Sequence, residues 1–350
     1  MGRRGDTHRL IRWLWTSHRI DARLVRLSLL PLAGLWKAGS ALRNLAYDRG
    51  WLEARELPLP AVGVGNLSVG GSGKTPIASW IAAHYVARGI VPGILLSGYG
   101  RDELLVHRER VPSARVVAGP DRFAAGEQAQ REGAEVLVLD DAFQLRQVWR
   151  DYNIALVSAE TSRAVRWPLP AGPWREGLAA LERANALIVT RKRADVRVAT
   201  DLAARLAPLV HGPVGIVHLG VQRYEGLTSG SRFGAEALQH KRVVVAAAIA
   251  DPDAFVAQTK ATGAQVQVAT WRDHHEFRDQ DLAWLAKAAR KADYLVITQK
   301  DAVKLRDRWP ASVPEPLVAV LDLTWEAGEA ELTAALDAIV TPVEGLTSGS

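Results

Sequence analysis

The sequence predicts an α/β layered sandwich, followed by a second, smaller α/β domain and preceded by an N-terminal amphipathic helix. Three observations lead there. Short apolar runs of strand length alternate with helix-length segments, which implies a mostly parallel sheet covered on both faces. The first run leads through a glycine-rich turn into a helix. Before it lies a basic stretch rich in Trp and Leu.

The basic stretch accounts for the charge of the whole chain. The 350 residues carry a formal net charge of +6. Residues 1–50 hold nine Arg and one Lys against three Asp, so the remainder is close to neutral. A nucleic-acid surface needs basic residues spread over a folded face, so no nucleic-acid partner is expected. In this segment Arg9, Arg12, Arg19, Arg23 and Arg26 interleave with Leu10, Ile11, Trp13, Leu14, Trp15, Ile20, Leu24 and Val25. The longest uncharged run, Leu27–Trp36, is shorter than the roughly 20 apolar residues a bilayer span requires. The pattern suits a helix lying in a membrane interface, with Arg at the headgroups and Trp and Leu below them. The competing reading is a helix packed on its own domain with a solvated basic face. With no cysteine in the chain, disulfides, thiolate metal sites and cysteine nucleophiles are excluded.

Elements follow in order. A strand over Ala61–Gly65, a turn over Asn66–Gly73 and a helix over Lys74–Arg88 come first. Strands follow at Val91–Leu96, Val136–Leu139, Ile154–Val157 and Ala186–Val189, with a helix over Asp121–Glu132. Residues 51–215 thus form the first sandwich, and 216–240 a strand linker around Val217–Phe233. Residues 241–350 form the smaller domain, with strands at Val243–Ile249, Val266–Ala269, Tyr294–Thr298 and Leu317–Leu321 and a helix over Asp253–Thr262. The heptapeptide 225–231 recurs at 344–350 and implies no repeat architecture.

The glycine-rich turn is the strongest chemical signal. Ser68, Val69, Gly70, Gly71, Ser72, Gly73, Lys74 and Thr75 fit the phosphate-binding loop G-x-x-x-x-G-K-[ST], with Ser68 in place of the first glycine. Glycines let successive N–H groups face phosphate oxygens, and the helix N-terminus adds partial positive charge. Lys74 would reach the terminal phosphates and Thr75 a magnesium ion. The fold is therefore of the P-loop type, and the implied cofactors are ATP and Mg2+. The run Val136–Leu139 ends in Asp140 and Asp141, where an open parallel sheet places its ligands. Both carboxylates are candidates for the metal shell. Adjacent strand residues face opposite ways, so Asp140 is assigned to magnesium and Asp141 to a neighbouring contact.

Several segments, taken together and in order, resemble the tetraacyldisaccharide 4'-kinases, the lipid A 4'-kinases of Gram-negative bacteria. These are Val64–Pro76, Gly98–Arg101, Asp102-Glu103, Val117–Arg122, Asp140–Gln144, Pro170–Glu176, Asp273–His275 and Thr298–Lys304. The chain departs from the family pattern at Ser97, which stands where an Arg is usual, and in lacking a loop between Arg101 and Asp102. It also departs at Ala142, Gln299 and Asp251. The resemblance implies ATP-dependent phosphorylation of a lipid disaccharide at the cytosolic face of the inner membrane. It implies that Asp102 activates the attacking hydroxyl and that His274, from the second domain, pairs with it. Glu103, Arg122 and Glu176, with Arg175, become substrate-binding or site-organising candidates, since Arg suits bidentate phosphate contacts. Without the resemblance, Asp102-Glu103 reads as a solvated charge pair and Asp273–His275 as an exposed turn or a metal ligand set. The rival functions are a GTPase switch or metallochaperone, and a soluble kinase of a small metabolite. The first lacks a well-spaced Asn-Lys-x-Asp, since Thr190–Asp195 and Thr298–Asp301 both fail it.

Overall fold

A computed structural model describes residues 10–11, 13–15, 17, 19–98, 101–161 and 166–341. Arg3, Arg9 and Arg12 of the basic segment, Tyr99 and Gly100, and the heptapeptide at 344–350 lie outside the described residues. The first helices are α1 (Ile20–Ser28) and α2 (Leu30–Asp48). Next come β1 (Ala61–Asn66), α3 (Lys74–Val86), β2 (Pro92–Leu96), α4 (Arg101–Arg110), β3 (Arg115–Ala118), α5 (Arg122–Arg131), β4 (Val136–Leu139) and β5 (Tyr152–Ser158). They are followed by β6 (Ala186–Arg191), α6 (Val196–Leu206), β7 (Val214–Gly226), β8 (Arg232–Phe233), β9 (Arg242–Ala247) and α7 (Pro252–Ala261). The chain ends through β10 (Gln265–Thr270), α8 (Asp279–Lys291), β11 (Tyr294–Thr298), α9 (Gln299–Leu305), β12 (Leu317–Ala327) and α10 (Glu329–Val340).

All twelve strands join one sheet in the order β10-β9-β11-β12-β7-β6-β5-β1-β4-β2-β3, with β8 paired to β7. Pairing is parallel except for β12 with β7 and β7 with β8. The segment around Val217–Phe233 therefore contributes a long strand hydrogen-bonded on both sides. The strand at Leu317 continues to Ala327 because its second half pairs with β7 while alternate side chains face solvent.

This antiparallel ribbon of β7 and β12 explains where a cleft must form. Strand β6 pairs with Val214–His218 of β7. Strand β11 pairs with Leu317–Ala319 of β12, which lies opposite Tyr224–Gly226. The two parallel sets run in opposite directions and attach at opposite ends of the ribbon. Their carboxyl ends consequently face each other over its middle, around Leu219–Arg223. Loops at the carboxyl ends of parallel strands form ligand crevices, and here two such edges line a single one. A cleft of about 2470 Å³ lies there, with Val221 and Leu321 in its floor and the phosphate-loop residues and the Asp273–His275 turn in its walls.

Helix α3 packs Ile77, Ile81 and Tyr85 on Val62, Val64 and Val138 of the first set. Leu282 and Leu285 of α8 pack on Leu295 and Ile297 of the second. These apolar faces fix both sets against the ribbon. The N-terminal helices behave differently. Ala22 and Ala33 are fully buried, whereas Leu24, Leu27, Leu32, Leu35 and Trp36 are exposed. No described helix is long and apolar enough to cross a membrane.

Candidate active site

The phosphate loop is built as the sequence pattern requires, with one informative difference. Gly73 caps α3 at φ 88°, and a Cβ there would meet Leu219 Cδ1 at 2.3 Å, so only glycine fits. Ser68 takes no positive φ. A side chain at the position of the missing first glycine therefore costs no backbone strain. The loop is braced from outside: Val69 N–H donates to the Pro173 carbonyl at 2.7 Å, and Thr190 Oγ1 to the Ser72 carbonyl at 2.9 Å. Asn66, buried at the end of β1, donates to Ser72 Oγ at 2.7 Å and accepts from Lys74 Nζ at 3.4 Å. Lys192 and Asp251 form an ion pair at 3.3 Å that joins the two halves of the cleft beside Gly71.

Asp140 and Asp141 lie just past the end of β4, so their divergence comes from the turn and not from strand alternation. Asp141 is left-handed at φ 56°. Its two oxygens accept from Arg175 at 2.9 and 3.3 Å, and Lys74 Nζ lies 3.6 Å away. Asp140 is buried. Its Oδ2 accepts from Thr75 Oγ1 and meets His107 Nε2, both at 3.2 Å. Its Oδ1 has no hydrogen-bond partner among the described residues. A buried, unpartnered carboxylate oxygen beside a threonine hydroxyl is a hard-oxygen donor set of the kind Mg2+ takes when phosphate oxygens complete its shell. Burial favours the neutral acid at Asp140, yet the hydrogen bond and charge of His107, with Lys74 and Lys300, outweigh it and hold the carboxyl below its usual range.

Across the cleft, His274 and Asp102 meet. His274 Nδ1 lies 2.8 and 3.0 Å from the two oxygens of Asp102, bridging 172 positions of sequence. Asp102 sits in the first turn of α4, and Lys304 Nζ lies 3.2 Å from its Oδ2. Burial of Asp102 works against ionisation, but the His274 hydrogen bond and the charges of Lys304 and Lys300 hold its pKa below the usual carboxylate range. The same hydrogen bond raises the pKa of His274 above 6.5, against the opposing effect of burial. His274 is held left-handed at φ 55°. The turn around it is anchored by Asp281, which accepts from Trp271 Nε1 at 3.1 Å, meets His275 Nε2 at 2.9 Å and accepts from Arg278 N–H at 2.8 Å.

Of the remaining candidates, Glu103 pairs with Lys300 at 2.7 Å. Arg122 is buried, donates to the Gly119 carbonyl at 2.9 Å and leaves Nε unpartnered among the described residues. Glu176 is buried beneath α2, accepting from Asn44 at 2.9 Å and Arg183 at 2.7 Å. Trp36 Nε1 also donates to the Arg175 carbonyl at 3.1 Å. Sequence reasoning passed over Asn66, His107, Lys192, Lys300 and Lys304 as site residues. The two lysines sit at i, i+4 on α9, a spacing that was visible. His107 gave no signal, because its partners lie on two other elements.

A family model described as tetraacyldisaccharide-1-P 4'-kinase matches residues 25–341. A tetraacyldisaccharide 4'-kinase of Anaeromyxobacter sp. (strain Fw109-5) is 35% identical over 93% of this chain and 95% of its own length. That of Geobacter metallireducens is 35% identical over 81% of this chain and 89% of its own. The crystal structure of LpxK from Aquifex aeolicus in complex with ATP superposes with a TM-score of 0.71 at 26% identity, covering 91% of this chain and all of the other.

Proposed function

Because the chain belongs to the tetraacyldisaccharide-1-P 4'-kinase family, it is an ATP-dependent kinase of lipid A biosynthesis, and we propose how its own residues carry out the transfer. The γ-phosphoryl group of ATP passes to the 4'-hydroxyl of tetraacyldisaccharide 1-phosphate. A new P–O bond forms to the sugar, the bond to ADP breaks, and the hydroxyl proton leaves to a protein base. The carrying observation is that His274, bonded to the buried Asp102, shares one cleft with Lys74, Thr75 and Asp140.

The loop from Ser68 to Gly73 cradles phosphate oxygens with backbone N–H groups, and Lys74 neutralises charge that develops on the transferred group. Mg2+ would be held by Thr75 and Asp140 and supplies further charge neutralisation on the phosphates. Asp141 keeps Arg175 and Lys74 at the edge of the same site. Arg175 offers its guanidinium group to anionic oxygens and Glu176 organises this wall from behind, while Arg122 is buried outside the cleft lining. Phosphoryl transfer depends mostly on positioning and electrostatics, so a carboxylate of low basicity suffices where the transition state is loose. Asp102 is assigned as the proton acceptor, with His274 orienting it.

Exposure favours a second assignment within the pair. The side chain of Asp102 is 1% exposed and that of His274 is 37% exposed. A hydroxyl in the cleft would then meet the imidazole, with Asp102 behind it. In either case residues 51–215 supply the ATP site, 241–350 supply His274, and the strand within 216–240 joins them. Helices α1 and α2 would seat the enzyme on the cytosolic leaflet of the inner membrane, where the lipid acceptor lies.

Incubating the protein with labelled ATP and the disaccharide 1-phosphate should give a bisphosphorylated lipid, and Lys74→Ala should lower kcat by about 10²–10³. Failure to label the lipid, with turnover of a small sugar instead, would replace the acceptor; GTP outcompeting ATP would replace the donor.

A further inference from the structure

We infer that His107 is a positioning residue for the metal-binding carboxylate, an inference that rests on the assignment of Asp140 to Mg2+ given above. Its ring is fully buried, in the last turn of α4, the helix whose first turn carries Asp102. Nδ1 lies 2.9 Å from Ser79 Oγ of α3, and Nε2 lies 3.2 Å from Asp140 Oδ2 after β4. One imidazole thus bridges the phosphate-loop helix, the helix of the catalytic carboxylate and the strand end that carries Asp140.

The chemistry of these atoms fixes the direction of the bonds. An ionised carboxylate only accepts, so Nε2 must carry the proton and donate to Asp140. Ser79, a hydroxyl, donates to a bare Nδ1 or accepts from a protonated one. The arrangement therefore holds whatever the charge of the ring. Together with Thr75 Oγ1, His107 occupies Oδ2 and leaves Oδ1 as the free acceptor. A carboxylate without these two partners could rotate about its Cβ–Cγ bond, and the nearby Lys74 and Lys300 would compete for both oxygens. Outer partners of metal ligands set orientation and basicity, and their loss typically costs 10–100-fold in metal affinity.

The test compares ADP binding by calorimetry in Mg2+ and in EDTA, using the full-length protein. The ratio of the two affinities isolates the metal. In His107→Leu this ratio should fall by about 10–100-fold, with affinity in EDTA unchanged. In His107→Gln, which keeps an N–H donor, most of the ratio should remain. A wild-type ratio in His107→Leu overturns the inference and leaves His107 as packing. Should the leucine variant not fold, Ser79→Ala enters the same assay: a reduced ratio supports the inference and a wild-type ratio overturns it. Asp140→Asn serves as the control. If it too keeps the wild-type ratio, the magnesium assignment itself has failed, which is distinct from failure at His107 alone.

Discussion

In the helix pair Ile20–Asp48 the fully buried side chains are two alanines, and the leucines face outward; in the sheet the leucines are buried and polar side chains turn toward the cleft. Among the described residues, every exposed large apolar side chain except Val69, Trp149, Val196, Val268 and Trp284 lies between Leu10 and Leu52. Clustered exposure of this kind marks an interaction surface, whereas singly scattered exposed side chains need no explanation. The sheet shows the reverse. Asp102, His107, Asp140 and Glu176 are all buried, and each is partnered. Buried charge of this sort persists where partners compensate its desolvation. On the proposed function the two regions divide the work: the sheet and its loops would hold the chemistry, and the helices would meet the membrane surface.

The largest expected effect lies in the sheet. Asp102→Asn should lower kcat by about 10²–10⁴ and leave binding to lipid vesicles unchanged. The pH profile then distinguishes which member of the pair takes the proton. The pKa of Asp102 is held below its ordinary 3.8, so a base at Asp102 is already ionised through the neutral range and kcat shows no acid limb there. The pKa of His274 is raised above 6.5 and the ring must be neutral to accept a proton, so a base at His274 gives a kcat that rises with pH through that raised value. Asp102→Asn removes the main cause of the shift and should bring the His274 titration back down, read from the NMR signal of the ring proton. An unmoved His274 titration would reject the pairing. A wild-type kcat would reject the Asp102 assignment.

A smaller effect is expected in the helices and on a different readout. A basic residue near an anionic surface contributes about 1 kcal/mol, so Arg23→Gln with Arg26→Gln should weaken sedimentation with anionic vesicles by about 30-fold. The kcat measured on detergent-dispersed lipid should not change. Unaltered vesicle binding would mean that the basic face is merely solvated, and the contrast between the two regions would lose its functional content.

The two regions were also unequally legible. The phosphate loop was readable because its meaning is local: strand, glycines, Lys74 and Thr75 fall within one short stretch, and the helix follows by the same rules everywhere. Asp140 was readable as a carboxylate ending an apolar run. The meeting of Asp102 with His274 was not derivable from either neighbourhood, and only the family resemblance suggested it. It depends on two parallel sets attaching at opposite ends of the β7–β12 ribbon, and a register of that kind leaves no mark in the residues around position 102 or 274. His107 is hidden for the same reason, with partners 28 and 33 positions away on separate elements. The short edge strand β3 escaped notice because it opens on Arg115 and buries only Val116 and Val117, whereas the equally short β4 is apolar and buried throughout.

A group of contacts crosses the division and provides its finest test. Asn44, on α2, donates to the buried carboxylate of Glu176 at 2.9 Å, and the adjacent Trp36 and Arg43 reach the same segment. Arg175, the next residue along, engages both oxygens of Asp141, which faces Lys74. The surface helix is thereby connected to the phosphate site through two polar links. A hydrogen bond to a buried charged group contributes about 1.5–3 kcal/mol, but Arg183 still holds Glu176 at 2.7 Å when Asn44 is truncated. A residual misplacement worth about 1 kcal/mol, or roughly fivefold in kcat, is therefore expected for Asn44→Ala on detergent-dispersed substrate, with vesicle binding intact. If kcat is unchanged, the helices act on location alone and the separation of the two regions is complete. If kcat falls, the segment proposed to meet the membrane also sets the position of the charges at the ATP site, because the only change made is the loss of a side chain that does not line the cleft.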